Sequence, residues 1–405
     1  VRPPKVYSID EHRIPPYKID KQAFYVIEKL RCNGFISFLV GGSVRDLLLN
    51  VRPKDFDIST SAKPEDIKQF FKRNCILIGR RFRLAHIRFG KKVIEVSTFR
   101  AGEEEATLIL RDNIWGSPEQ DVLRRDFTIN GLFYDPEVQT VIDYVGGFLD
   151  LEKKILRTIG DAEVRFIQDP VRMIRLVKFK ARFDFEIEQN TFNAMVKCKK
   201  EILKSSPIRI LEELFKMLES SSAKNFFCLL TKYELLNLLS PFLATYMQTQ
   251  KNAYDLLEIV DSFNKKNHPK TLERSILICS LLFNILEDLL KSKYIEKNLF
   301  LHLGIIAFEA KKLIDDVFRP FFLLSKKIKA QIISILTNQF RIIPLVKTKK
   351  IKIKIPKDPF FDLSLQFFNL RCIQNPKLTN IYTIWNEKFI ESHKKRKRFF
   401  KRKNG

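Results

Sequence analysis

Between residues 20 and 99 the hydrophobic period of the chain changes repeatedly. Phe24, Ile27 and Leu30 recur at helical spacing, and the run Phe35 to Val40 is apolar and continuous, which predicts a helix followed by a buried strand. Gly41-Gly42 interrupts that run, and Ser43 is placed to cap a short helix through Leu49. A second strand is expected at Asp55 to Ser59, then a helix from Lys63-Pro64-Glu65, because proline suits the first helical turn. Cys75 to Ile78, Leu84 to Phe89 and Val93 to Phe99 are strand-like, with Gly90-Lys91 as the tight turn of a hairpin. Upstream of Asp20 the chain is polar and carries Pro3, Pro4, Pro15 and Pro16, so this segment is expected to lie extended over the surface.

Beyond Leu151 the strand signals fade. Amphipathic helices are expected at Asp169 to Lys180, Ile208 to Leu218, Ala223 to Leu239, Thr271 to Leu290, Leu299 to Phe318 and Lys326 to Phe340. No period of about 20 to 50 residues repeats, which argues against a solenoid. The pattern predicts an α+β chain. An extended segment (1–19) leads into a head of mixed β-sheet with helices (20–150), and the remainder is all-α: a neck (151–220), a body and tail (221–385) and a basic terminus (386–405).

Composition alters this picture mainly through charge. At 405 residues and 45% apolar composition the chain can fold as several ordinary cored units. Lys and Arg number 73 against 47 Asp and Glu, a net +26 that concentrates polyanions at the surface and makes nucleic acid or an anionic membrane the natural partner. The longest apolar stretch, Ser275 to Leu286, is too short to span a bilayer, so no membrane association is expected. Cys32, Cys75, Cys198, Cys228, Cys279 and Cys372 are scattered without a CxxC pair, so neither zinc nor disulfides are expected and a reducing cytoplasm fits. No apolar run with a small-residue cleavage site opens the chain, so no secretory signal is expected. Two basic runs, 347–357 and 393–403, read as solvated, disordered segments. The second, with Lys394, Lys395, Arg396, Lys397 and Arg398, is also a candidate for contact with RNA backbone.

Candidate chemistry concentrates in FLVGGSVRDLLLNVRPKDFDIST, residues 38–60. In a strand, residues two apart share a face, so Asp55 and Asp57 can converge on a divalent ion while Phe56 points into the core. The strand, Gly-Gly turn and helix just upstream let the backbone of Gly41, Gly42 and Ser43 approach a triphosphate. Taken singly, a DxD pair or a Gly-Gly pair is common in turns; GGxxRD followed by DFD is much more specific.

Those residues resemble the nucleotidyltransferase branch that contains bacterial poly(A) polymerases and CCA-adding enzymes. The resemblance implies that Asp55 and Asp57 hold two Mg²⁺ ions, with Mn²⁺ as a substitute, and that Arg45 and Asp46 belong to the nucleotide site. An RNA 3′-hydroxyl would then attack the α-phosphate of ATP without a template strand. A third carboxylate is expected from Glu95 in KVIEVSTFR or Asp126 in RRDFTIN. The competing reading of Glu95 is a salt bridge to Arg88 across the hairpin. Arg124, Arg125 and Asn130 match a second family motif that contacts phosphate and sugar. QDPVRMIRLVKF resembles the base-reading motif and places Asp169, Arg172 and Arg175 on one side of a helix that Pro170 begins. Asp169 there could equally be an ordinary helix cap. Gln168 departs from the family, which has Glu. Arg209 and Glu213 resemble the motif that braces the neck, or form a simple helix pair.

Leu77 to Ile87 (LIGRRFRLAHI) resembles a segment that bacterial poly(A) polymerases carry after the catalytic aspartates, and the stretch between Arg100 and Arg111 is short for that family. The resemblance therefore implies a monomeric bacterial cytoplasmic enzyme adding AMP from ATP to RNA 3′ ends, with CCA addition to tRNA as the alternative. A non-catalytic RNA-binding protein on the same scaffold is the rival of another class. Clustered, mutually repelling carboxylates argue against it, since a dead site has no use for them.

Overall fold

The structure is a computed structural model. It describes residues 3–79, 84–101, 114–267, 269–319, 321–345 and 353–403, with 393–403 given as backbone alone. The expectations placed on residues 80–83, on the short stretch 102–113, on 347–352 of the first basic run and on the side chains of Lys394 to Arg398 lie outside the described residues. The chain divides into two compact units, Val1–Glu201 and Ile202–Gly405, the division falling inside the expected neck.

The first unit is built on one mixed sheet. Its strands are β1 (Lys5–Tyr7), β2 (Ser37–Val40), β3 (Asp57–Thr60), β4 (Cys75–Ile78), β5 (Leu84–Phe89), β6 (Lys92–Thr98), β7 (Leu132–Asp135) and β8 (Thr140–Asp143). Their spatial order is β1-β8-β7-β2-β3-β6-β5-β4. β3 and β6 run parallel, with Asp57 beside Glu95 and Ser59 beside Ser97, and the other neighbours are antiparallel. A parallel pair needs a crossover, which the helix after β3 and the β4–β5 pair supply. Residues 5–7 are extended at the surface, as expected, and in addition pair with β8, because an edge strand gains ladder hydrogen bonds there; a short helix α1 (Ile9–His12) follows.

Alternation gives the sheet two different faces. Leu39, Ile58, Ile87, Ile94, Val96, Leu132 and Tyr134 enter one buried core. Helix α2 (Lys21–Cys32) covers it with Ala23, Val26, Ile27 and Leu30, and its start is capped by Asp20, which accepts from the N–H groups of Gln22 and Ala23. The opposite face carries Val40, Phe38 and Phe133 in a smaller cluster and, on β3 and β6, the polar series Asp57, Ser59, Glu95 and Ser97. A period of two thus turns one apolar core and one chemical surface out of the same strands.

Helix α3 (Gly42–Leu48) follows β2, and α4 (Pro64–Phe71) follows β3, opened by Pro64 as expected. The strand expected at Asp55 begins two residues later at Asp57, although Phe56 is still buried between an exposed Asp55 and a half-buried Asp57. After β6 come α5 (Pro118–Leu123), α6 (Gly147–Glu152), α7 (Ala162–Gln168), α8 (Val171–Phe183) and α9 (Gln189–Cys198). Asp143 fixes the turn into α6 by accepting the N–H groups of Val145, Gly146, Gly147 and Phe148. Gly147 permits a close approach there, since a Cβ would lie 2.1 Å from the carbonyl oxygen of Thr128. Strand signals were expected to end at Leu151. A small parallel pair, β9 (Ile155–Leu156) with β10 (Glu186–Ile187), nevertheless flanks α7 and α8; two residues per strand are too few for a period to register.

The named elements of the second unit are all helices among its described residues. It contains α10 (Pro207–Leu218), α11 (Ala223–Lys232), α12 (Leu235–Leu239), α13 (Pro241–Thr249), α14 (Asp255–Asn267), α15 (Arg274–Leu290), α16 (Leu303–Phe318), α17 (Lys326–Ile342), α18 (Phe361–Gln374) and α19 (Thr379–Lys403). The single helix expected over Ala223 to Leu239 is broken because Glu234 adopts a left-handed conformation, φ 60°, and restarts the chain as α12. α15 is buried almost all round, as its apolar run predicts, and Arg274 at its start pairs with Glu212 and Glu219. Glu213 is buried and pairs with Lys216, the Lys216 side chain itself being well exposed. The basic terminus is not a disordered tail; its backbone continues α19 to Lys403. No helix among the described residues is long and apolar enough to cross a membrane. The fold is α+β, a mixed-sheet head followed by a mostly helical remainder.

Candidate active site

The expected site residues fall into three groups within the first unit. The first lies on the polar face of the sheet. Asp57 stands beside Glu95 in the β3–β6 register. Burial, then Glu95, then Asp55 push the Asp57 carboxyl up to about 6, while Arg125 works in the opposite direction. Asp57 therefore feels two acidic neighbours on this face. Glu95 is not opposite Arg88: the hairpin register sets Arg88 against Val93 and His86 against Glu95, and His86 Nε2 lies 3.3 Å from Glu95 Oε2. Among the described residues no three His, Cys, Asp or Glu side chains are gathered closely enough to hold a metal ion as they stand. The donor set nevertheless suits a hard divalent cation, being all carboxylate, and a carboxyl driven upward by its acidic neighbours is one that a cation would relieve.

The Gly41 turn adjoins this group. Ser43 does not cap α3 as expected; its hydroxyl donates to the carbonyl of Val40, and Gly41 occupies the cap position at φ 65°, ψ −124°. A side chain there is strained by the positive φ and would meet Arg125 Nη1 at 3.0 Å. Gly41→Ala is therefore expected to cost about 1–3 kcal/mol in chemical denaturation. A loss well below that range would mean the turn tolerates a Cβ.

The second group is a buried network between α3 and α8. Arg45 is 5% exposed, and its guanidinium donates to Asp46 Oδ1 (2.9 and 2.7 Å) and to Asn130 Oδ1 (2.6 Å), with the rings of Phe179 and Phe183 against its face. Asp126 accepts from the N–H of Phe127 and from Asn130 Nδ2, and Arg175 Nη2 lies 2.7 Å from its other oxygen. Arg182 approaches Asp46 at 3.4 Å. Of the two candidates for a third carboxylate, Glu95 joins the Asp57 group, while Asp126 is enclosed in this network.

The third group gathers where α7 meets α8. Pro170, expected as the first helical residue, occupies the cap position of α8, and Asp169 ends α7, its carbonyl accepting the N–H of Arg172. Arg172 is buried and donates to the carbonyls of Arg165 and Arg124. Arg165 donates to Gln168 Oε1 and to the carbonyls of Leu123 and Arg125, and burial, with Arg172 and Arg124 nearby, pulls its pKa down to about 10. The neutral Gln168 accepts from this crowded guanidinium. Arg124, Arg125 and Asp126 are consecutive, so one short segment touches all three groups.

Three residues that matter here were not read from the sequence. Ser59 and Ser97 bond to each other at 2.9 Å on the Asp57 face, and Ser59 also accepts from Arg125 Nη2 at 3.2 Å. Asp121 takes Arg125 through Nε (3.2 Å) and Nη2 (2.8 Å).

Known proteins match this architecture. Residues 37–157 match the family described as poly A polymerase head domain, and residues 184–247 match the probable RNA and SrmB-binding site of polymerase A. Poly(A) polymerase I of Haemophilus influenzae is 40% identical over 252 residues, covering 60% of this chain and 56% of that protein. A CCA-adding enzyme of Streptococcus suis is 38% identical over 200 residues, 49% of each chain. The chain thus spans about half the length of the curated relatives it matches. In fold it resembles the Bacillus stearothermophilus CCA-adding enzyme solved in complex with CTP, at TM-score 0.64 and 24% identity over 93% of this chain and 83% of that one. It also resembles a tRNA nucleotidyltransferase complexed with a primer tRNA and an incoming ATP analog, at TM-score 0.59 and 21% identity over 91% and 99%. The head of this chain, residues 37–157, thus matches the poly A polymerase head-domain family, and the chain is similar to poly(A) polymerases and CCA-adding enzymes over about half of their length.

Proposed function

We propose that this chain is a template-independent RNA nucleotidyltransferase that adds AMP from ATP to RNA 3′ ends, acting as a monomer in the bacterial cytoplasm. The observation that carries this is the register that sets Asp57 beside Glu95, with Asp55 two residues before it, on a sheet face beside the Gly41 turn. The family uses divalent metal ions. Asp55, Asp57 and Glu95 would hold two of them, Mg²⁺ or Mn²⁺, which when bound lower the pKa of the attacking hydroxyl and neutralise the departing diphosphate.

The protein's own groups supply the rest. In the reaction O3′ of RNA bonds to the α-phosphorus of ATP, the bond from that phosphorus to the bridging oxygen breaks, and diphosphate leaves. The first N–H groups of α3 have no acceptor inside the helix and face the phosphates, together with Arg125. Asp169 and Arg172 read the adenine edge, with Arg124 and Arg165 fixing Arg172 from behind. Arg45, Asp46, Asn130, Asp126 and Arg175 tie the helix that carries Arg172 to the helix that opens at the phosphate turn. The run Lys394 to Arg398 contacts RNA backbone.

Addition of CCA to tRNA is the second reading, favoured by the folds this one resembles; the greater extent of the match to poly(A) polymerase I supports adenylation. Each labelled nucleoside triphosphate, supplied alone, separates them. Long incorporation of AMP onto a generic RNA is expected. Incorporation restricted to CMP and AMP on tRNA lacking its CCA end would replace polyadenylation with CCA addition, and no incorporation at all would remove the enzymatic reading.

A further inference from the structure

We propose that Asp121 is a positioning residue of the nucleotide site, fixing the plane of Arg125 so that both Nη1 hydrogens are presented to the phosphates of a nucleoside triphosphate. This rests on the nucleotidyl-transfer reading above. An arginine has five N–H groups in a rigid fork. The Nε–H and one Nη2–H of Arg125 go to Asp121 Oδ2, at 3.2 and 2.8 Å, and Ser59 Oγ takes an Nη2–H at 3.2 Å. The guanidinium also lies over the ring of Phe133, 5.5 Å from its centre. With three hydrogens committed on one edge, the two on Nη1 lie on the side of Gly41, whose missing Cβ leaves room for them.

Asp121 is well placed for this role and badly placed for any direct one. Its side chain is 12% exposed and sits four residues before Arg125 across one turn of chain. Its other oxygen accepts the backbone N–H of Arg100 at 3.3 Å, two residues past the end of the strand that carries Glu95. The same carboxylate therefore ties the arginine of the phosphate turn to the end of the acid strand. Ser59 completes the hold from the strand that carries Asp57, and is itself steadied by Ser97. Losing Asp121 releases the guanidinium to rotate about its own stem without removing a single atom from the nucleotide pocket.

The test is Asp121→Asn in the full chain, with KM and kcat for ATP measured at saturating RNA and ATP affinity measured without RNA. KM and the dissociation constant are each expected to rise about tenfold, the scale of one charge-assisted hydrogen bond, with kcat changed far less. Asp121→Glu is expected to recover part of the loss. Asp121→Ala combined with Arg125→Ala is expected to be no worse than Arg125→Ala alone, because both act through one guanidinium. Should Asp121→Asn fail to fold, Ser59→Ala carries the same test with a smaller rise in KM. A lowered melting temperature with unchanged KM and ATP affinity, or full additivity in the double variant, overturns the assignment. Wild-type protein that neither binds ATP nor extends RNA overturns the reading beneath it instead.

Discussion

Asp57→Asn is expected to lower nucleotide incorporation about a thousandfold or more while leaving the metal-free protein at least as stable as the wild type. The two halves of this outcome have one cause. The Asp57 carboxyl is pushed up to about 6 by burial and by Glu95 and Asp55, so its charged form is disfavoured in the folded state relative to the unfolded chain. At neutral pH that repulsion is a cost, and an amide of the same shape removes it, with an expected gain of about 1–2 kcal/mol in denaturant. Magnesium should reverse the ranking. It is expected to raise the melting temperature of the wild type, by binding the folded form, and to leave that of the variant nearly unchanged. A variant that is both inactive and unfolded would mean that Asp57 serves the fold.

Asp126→Ala is expected to do the opposite, losing activity and about 3 kcal/mol of stability together. Burial alone would push this carboxyl up. The charge of Arg175, the amide of Asn130 and the N–H of Phe127 outweigh it and hold it below the ordinary carboxylate range. A carboxyl with a depressed folded pKa contributes stability that is complete above its unfolded value and lost as the pH falls through the folded one. The gap in stability between wild type and Asp126→Asn is therefore expected to be full near neutrality and to shrink as the pH drops below about 4. Circular dichroism melts from pH 7 to pH 3 read it directly, and a gap that widens in acid would contradict the network described here. Comparing Asp57 with Asp126 separates an acid whose loss is expected to spare the fold from one whose loss is expected to weaken it.

The local pieces of the site were legible because they depend on short spacings. Phe56 is buried between Asp55 and Asp57 as strand alternation requires, even though the hydrogen-bonded strand starts only at Asp57. The hairpin at Gly90-Lys91 and the strands around it fall where their apolar runs end. What was not legible depends on pairing across long stretches of chain. Ser59 and Ser97 carry no signal until β3 is known to lie parallel to β6 in one register, and β1 is polar until β8, more than a hundred residues away, gives it a ladder. Register also decides the partner of Glu95, which is His86 and not Arg88.

Caps and buried charges formed the other limit. Ser43 has the chemistry of a cap, yet the backbone turns at Gly41, where only a residue without a side chain takes the conformation comfortably. Arg45 and Asp126 read as site residues from the motifs that contain them, and the motifs do not show the packing that sets Asn130 against Arg45 and Arg175 against Asp126. Glu234 interrupts one long amphipathic pattern into α11 and α12, because the apolar period of the flanking residues continues across a single left-handed residue.

The proposed activity depends on Asp55 and Asp57 holding divalent cations beside a triphosphate at the Gly41 turn. Crystals grown with Mn²⁺ and a non-hydrolysable ATP analogue, measured for the anomalous signal of manganese, test that most directly. Peaks about 2.2 Å from the carboxylates of Asp55 and Asp57, with the analogue's phosphates against Gly41 and Gly42, are the expected result. Manganese bound only elsewhere, with both aspartates turned from the nucleotide, would contradict it.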